Sequence, residues 1–149
     1  MQFTKSRKMN RTRSLLAGIV LAVVAVQTIN SPVLAGDEHG FVSKKYDIKG
    51  GWQIVEENGK TLIRFDKSFK TKGGPDLKVF LSPLSIADVS GKTATDNSIQ
   101  LGKLQSITGS QDYILPDGLS LEDYNSILVH CEQYSVLWGG SDLHAAKSN

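Results

Sequence analysis

One cysteine, Cys131, serves all 149 residues. That scarcity excludes an intrachain disulfide, and it excludes an iron–sulfur cluster built by one chain, which needs several thiolates. No Cys-x-x-Cys-His run is present, so haem of the covalent c type is excluded as well. Also missing are a Gly-x-Ser-x-Gly elbow, a His-Glu-x-x-His pair and a glycine-rich phosphate loop with its following Lys. Hydrolytic chemistry therefore has little support, and a stand-alone enzyme is a weaker expectation than a redox or binding module. Lys and Arg form no stripe that would follow a nucleic-acid backbone. Nor is there a basic amphipathic helix suited to a membrane surface.

What is there begins with a leader. Lys5, Arg7, Lys8, Arg11 and Arg13 precede Leu15–Val26, an unbroken run of apolar residues and Gly. The run is shorter than the roughly 20 residues that span a bilayer. Ser31-Pro32 and the small-residue site Val33-Leu34-Ala35 follow, so residues 1–35 read as a secretory signal peptide cleaved before Gly36. An uncleaved membrane anchor is the alternative. The expectation is an exported protein, periplasmic or extracellular, with no stable membrane span after cleavage. The leader holds 5 of the 17 Lys and Arg, which leaves 12 against 15 Asp and Glu, a net of −3. Residues 36–149 suffice for one compact domain with a core of its own, expected over about 41–143.

From Phe41 onward the pattern favours strands. Gly51–Glu57 and Lys60–Asp66 flank Asn58-Gly59, the residue pair that tolerates the positive φ of a type I′ hairpin turn. Further strands are expected over Phe41–Ile48, Leu77–Leu81, Ile99–Leu104, Asp112–Leu115, Asn125–Cys131 and Tyr134–Trp138, between clusters of Gly, Pro, Asp and Ser. Leu84–Ala94 reads as a loop with a helical turn. Short strands without a helical repeat between them predict an all-β fold, an antiparallel sandwich or barrel-like single domain.

Strand parity aims Cys131. With a period of two, Ile127, Val129 and Cys131 share one face while Leu128, His130 and Glu132 share the other. The thiol thus lies on an apolar face, and His130 points away from it, which denies a Cys–His nucleophile pair or a metal site from these neighbours. Keeping Tyr134, Val136 and Trp138 on the face of Cys131 requires an odd shift near Glu132-Gln133, a bulge or a tight turn. An exported protein meets oxidants, so a lone thiol is either hidden or used. A small buried hydrophobe is one reading of Cys131, a working sulfur the other.

The runs Gly74–Ser82, Leu101–Ser106, Gly109–Pro116 and Tyr124 through Cys131 to Gly139 resemble, in order and spacing, the DM-thirteen domain. The resemblance covers about Gly50–Leu143. It implies an extracellular β-rich module of the kind often joined to DOMON domains in electron-transfer proteins. It also implies a characteristic cysteine in redox chemistry, either as a bare thiol or as a contact for a prosthetic group such as haem, and Cys131 stands at that position. A redox partner protein follows from the same implication.

Non-covalent haem with Cys131 as axial thiolate would need an apolar slot, for which Tyr134, Trp138 and Phe80 are the candidate walls; ordinary core packing is the alternative for all three. His39 and His144 are the remaining histidines that a fold would have to carry to Cys131. Gly73-Gly74-Pro75-Asp76 reads as a turn entering a strand. Were Asp76 to face Cys131 instead, its charge would raise the thiol pKa and oppose reactivity. Gln111 and Tyr113 read as polar anchors of the core. A binding or adhesion module of the cell envelope, with a merely packed cysteine, stays open beside the electron-transfer reading.

Overall fold

The computed structural model describes residues 39–144. The expected signal peptide over residues 1–35, its expected cleavage point and the tail after His144 lie outside these residues. Among the described residues eleven strands follow in chain order: β1 His39–Gly40, β2 Val42–Ser43, β3 Ile48–Lys49, β4 Gly51–Glu57, β5 Lys60–Phe65, β6 Lys70–Thr71, β7 Leu77–Ser82, β8 Ile99–Lys103, β9 Gln111–Ile114, β10 Ser126–Cys131 and β11 Val136–Asp142. Among the described residues the only helical pieces are two short 3₁₀ turns, Leu121–Asp123 and Glu132–Tyr134.

The Asn58-Gly59 turn forms as its residues dictate, with φ of 52° and 72°, and β4 pairs with β5 from Glu57↔Lys60 to Trp52↔Phe65. Nothing lies within 4 Å of a Cβ placed on Gly59. Replacing Gly59 by Val should therefore destabilise the fold through backbone strain alone, by about 1 kcal/mol or more. An unchanged denaturant midpoint would contradict this.

Three antiparallel sheets result. The first runs β1-β4-β5-β9, the second β2-β11-β10-β7-β8, and the pair β3-β6 forms the third. The sheets stay open at their edges, so the fold is a sandwich-like antiparallel architecture and not a closed barrel. Between the larger sheets lies the main core, with Trp52, Ile63, Phe65, Phe69, Val79, Leu81, Tyr113, Ile127, Val129, Cys131 and Trp138 all buried. Each such side chain contributes on the order of 1.5–3 kcal/mol by leaving water.

All six residues of β10 are buried, as are five of the six in β7, because the second sheet is covered on both faces. Its outer face carries Phe80, Leu128 and Leu137, sealed by Ile86, Val89 and Ala94 from the segment between β7 and β8. Leu84–Ala94 is the expected loop with a turn in it, where Asp88 N and Val89 N both bond Ser85 O, and it is packed as a cover. Ile86 N donates to Asp142 Oδ1 at 2.7 Å, Ser126 Oγ to Leu84 O at 2.6 Å, and Asn125 Nδ2 to Pro83 O at 2.6 Å. These bonds replace the ladder that an irregular backbone lacks.

Two strand expectations are corrected. Phe41–Ile48 is not one strand, because Ser43 Oγ bonds both Ile48 N at 3.1 Å and Ile48 O at 3.2 Å and so closes Lys44–Asp47 into a bend. Tyr134–Trp138 begins too early and ends too soon: Tyr134 belongs to a 3₁₀ turn, and β11 continues through Gly139-Gly140 to Asp142.

Candidate functional site

Cys131 ends β10 and is wholly buried. It lies opposite Leu77 on β7 and Val136 on β11, inside the main core with Ile127 and Val129. Parity therefore placed it on the correct face. The odd shift comes from the Glu132–Tyr134 turn closed by Ser135 in the left-handed region at φ 50°, which returns Val136 opposite Cys131. A second irregularity follows. Between Leu137↔His130 and Gly139↔Val129 the register slips, leaving Trp138 as the extra residue of a bulge.

The bulge keeps Trp138 in the core cluster that contains Cys131. Its indole Nε1 donates to Lys72 O at 3.0 Å, and its ring lies 4.2 Å from that of Tyr46, centroid to centroid. Lys72 Nζ stands 5.9 Å above the Tyr46 ring, the outer limit of a cation–π contact. Tyr46 is half-buried and Lys72 exposed, so Trp138, Tyr46 and Lys72 lead from the core cluster that holds Cys131 to the surface. The expected residues Cys131 and Trp138 thus share one core cluster. Phe80 and Tyr134 are not: Phe80 sits on the outer face of its sheet with Leu128, and Tyr134 is 63% exposed on its turn.

That dispersal bears on haem. An axial thiolate needs an open slot at the sulfur with apolar walls, whereas Cys131 is closed in between two strands. Three surface cavities lie around this end of the fold. One of about 270 Å³ is lined by Gly73–Leu77 and Lys103–Ile107, and another of about 320 Å³ by Asp47, Lys49, Lys70, Thr71 and Lys72. The third, of about 410 Å³, is lined by Lys44, Lys45, Val89, Ser90, Gly91, Ser135, Val136 and Leu137. Cys131 lines none of the three. The residues do not fit a haem held through this sulfur.

Other candidates resolve as structure. Gly73-Gly74-Pro75-Asp76 is a turn leading into β7, as expected, but with an added duty: a Cβ on Gly74 would lie 2.9 Å from Trp138 Cζ2. Asp76 O accepts from Glu132 N at 3.2 Å. Its carboxylate pairs with Lys78 Nζ at 3.4 Å, and Lys78 lies opposite His130 on the face away from Cys131. Lys78 also bonds Glu132, whose carboxylate is the main reason that its ammonium pKa is raised.

His130 is buried on the outer face with Nε2 2.9 Å from Gly91 O, edge-on to Phe80. His39 stacks on Trp52 at 4.7 Å, and His144 is exposed. Among the described residues no three His, Cys, Asp or Glu side chains group as metal ligands.

Gln111 and Tyr113 are the polar anchors that the sequence suggests. Tyr113 Oη donates to Gln111 Oε1 at 2.7 Å, and that oxygen also accepts from Gln105 N and Ser106 N, each at 3.1 Å. Burial pushes the Tyr113 phenol up to about 12, so it stays protonated and serves as a donor at neutral pH. Sequence reasoning missed Tyr46 and Lys72, whose partner Trp138 is 66 or more positions away; the one local signal was the density of Lys around Tyr46.

A family model described as "Electron transfer DM13" matches residues 40–143, more than two thirds of the chain. The matched stretch runs from β1 through the end of β11 and includes Cys131, Trp138 and Tyr46. No curated protein and no solved structure matches.

Proposed function

Because this chain belongs to the DM13 family of electron-transfer domains, we propose that it is an electron-transfer module working outside the cytoplasm, centred on Cys131. Export rests on the leader: five basic residues, a short apolar run and a small residue before Gly36. The role of Cys131 rests on one observation, that the only sulfur of any cysteine is packed in the same core cluster as Trp138, whose ring meets Tyr46 at the surface. Thiol–disulfide exchange needs direct attack at the sulfur, and the closed fold denies it. Movement of electrons to a partner does not need that collision, and sulfur, indole and phenol are the oxidisable side chains of the chain. Haem at Cys131 forms no part of this reading.

The complete burial of Cys131 also favours a second reading, a binding module of the cell envelope in which the cysteine is only packed. One experiment separates the two. Protein taken from the exporting compartment, with its N-terminus expected at Gly36, is treated with a bulky aromatic disulfide reagent that must touch sulfur. In parallel it is treated with hexachloroiridate(IV), an outer-sphere oxidant that takes one electron while the thiol releases its proton. Thiol remaining is counted after unfolding.

The electron-transfer reading expects Cys131 to resist the disulfide in the folded state, yet to be consumed by the oxidant, and more slowly in Tyr46→Leu. Cys131→Ala should fold, since it leaves only a small cavity, and should lose this oxidation. Cys131→Ser should cost about 1–3 kcal/mol, because its hydroxyl meets an apolar face. A folded thiol untouched by either reagent would leave the packed-cysteine reading.

A further inference from the structure

Positive charge is concentrated in two short segments of this fold, and both segments touch the aromatic pair. Residues 39–144 contain eleven Lys and Arg and thirteen Asp and Glu. Five of the eleven, Lys44, Lys45, Lys49, Lys70 and Lys72, fall in two short segments, 44–49 and 70–72, with Asp47 as the sole acid there, giving a local charge of +4. The six other cations face twelve carboxylates, a charge of −6 over the rest. All five lysines are exposed, and none takes part in an ion pair among the described residues.

Their arrangement works against the fold. Lys49 and Lys70 stand directly opposite each other in the β3–β6 ladder, where like charges are destabilising. Together with Lys72 they line the cavity of about 320 Å³ that also holds Asp47 and Thr71. Lys72 reaches over the Tyr46 ring, and its own carbonyl takes the Trp138 indole hydrogen. Lys44 N bonds Trp138 O at 2.9 Å, so the turn that carries Lys44 and Lys45 is fixed to the same residue.

We propose that this lysine patch is the docking surface for a protein partner with an acidic face, set so that docking covers Tyr46. The inference rests on the electron-transfer reading for its purpose, while its own ground is charge complementarity. A positive face on a domain with net negative charge orients an approaching acidic surface and raises the encounter rate. It repels a partner at its other, carboxylate-rich surfaces. The occupant so favoured is an acidic protein; anionic lipid is the outcome to be tested against it.

The probe is a twelve-residue polyglutamate peptide, added to the exported protein at low ionic strength and followed through backbone amide and indole NMR shifts. Shifts are expected at residues 44–49 and 70–72 and at the Trp138 indole, and they should vanish at high salt as the charges are screened. The variant Lys49→Glu, Lys70→Glu, Lys72→Glu should raise the dissociation constant at least about tenfold. As the control, Lys60→Glu at the far hairpin, compared with Lys49→Glu alone and so with the same change of charge, should leave it within about twofold. If the glutamate variant unfolds, the Lys→Gln triple at the same positions reports instead, with a smaller loss of the same sign.

Equal weakening by Lys49→Glu and Lys60→Glu would overturn the proposal, as would binding to vesicles containing phosphatidylserine in preference to the peptide. Cys131→Ala must bind the peptide like the unaltered protein. Loss of docking with hexachloroiridate oxidation of Cys131 intact would refute the patch alone, and the reverse pattern would refute the electron-transfer reading alone.

Discussion

Trp138→Ala should cost about 3–5 kcal/mol, the range for removing a large aromatic from a packed core. Trp138 is only 5% exposed and fills the space between Gly74, Leu77 and Tyr46. Truncation leaves a cavity that the backbone at Gly74 cannot close without moving the turn into β7, and it strands Lys72 O without its indole donor. Trp138→Phe separates these effects. It keeps most of the apolar area and removes the hydrogen bond, so about 1–2 kcal/mol is expected. Guanidinium midpoints at constant slope measure both losses. A cost below 1 kcal/mol for the alanine variant would mean that the bulge is not what holds this end of the fold. The aromatic series predicts a further result in Trp138→Phe: the folded state survives while oxidation of Cys131 by hexachloroiridate slows.

Gly140→Val should be worse, abolishing the native fold or costing more than about 3 kcal/mol. A Cβ there would stand 2.5 Å from Ile127 O, 2.7 Å from Ile86 Cδ1 and 2.9 Å from Leu128 Cδ2. The first of these is a backbone oxygen of β10, the centre of the sheet, and cannot retreat without breaking ladder bonds to β7 or β11. The other two are the joint between the sheet and its Pro83–Ser98 cover. Gly118→Ala makes the control: its φ is +78° with nothing within 4 Å, so only backbone strain remains, on the order of 1 kcal/mol. Loss of near-ultraviolet circular dichroism in the first variant and its retention in the second are the expected results. A well-folded Gly140→Val protein would show that the cover segment yields easily.

Both predictions concern places where local pattern was silent. Alternation in Ile127–Cys131 and the Asn58-Gly59 pair made an antiparallel β fold legible, because side-chain parity and turn conformation are properties of a few adjacent residues. The burial of Cys131 followed from the same parity, and the family resemblance picked out the same residue. Parity also separated Phe80 from Cys131 once the register was known: Leu128 faces Phe80, so Cys131 faces Leu77. Without the register, two even-numbered and odd-numbered strands could not be set against each other, and Phe80 passed for a wall of a slot.

Gly139-Gly140 misled in the same way. Two glycines usually punctuate a strand, yet here they continue one, since Val42 and Ile48 on one face and Ile86 and Leu128 on the other come too close for any side chain.

The sequence by itself determined what depends on neighbours along the chain: the hairpin, the strand-rich class, the face of Cys131 and the turn before β7. Tertiary structure alone decided what depends on residues far apart in sequence. It brought Tyr46 to Trp138 and Lys49 opposite Lys70, spread the expected haem walls over two faces, and turned a loop into the cover of a buried sheet. The physical reason is that hydrophobic burial acts between any surfaces that can meet, without direction, while register and bulges, which choose those surfaces, are fixed only when strands from distant parts of the chain pair.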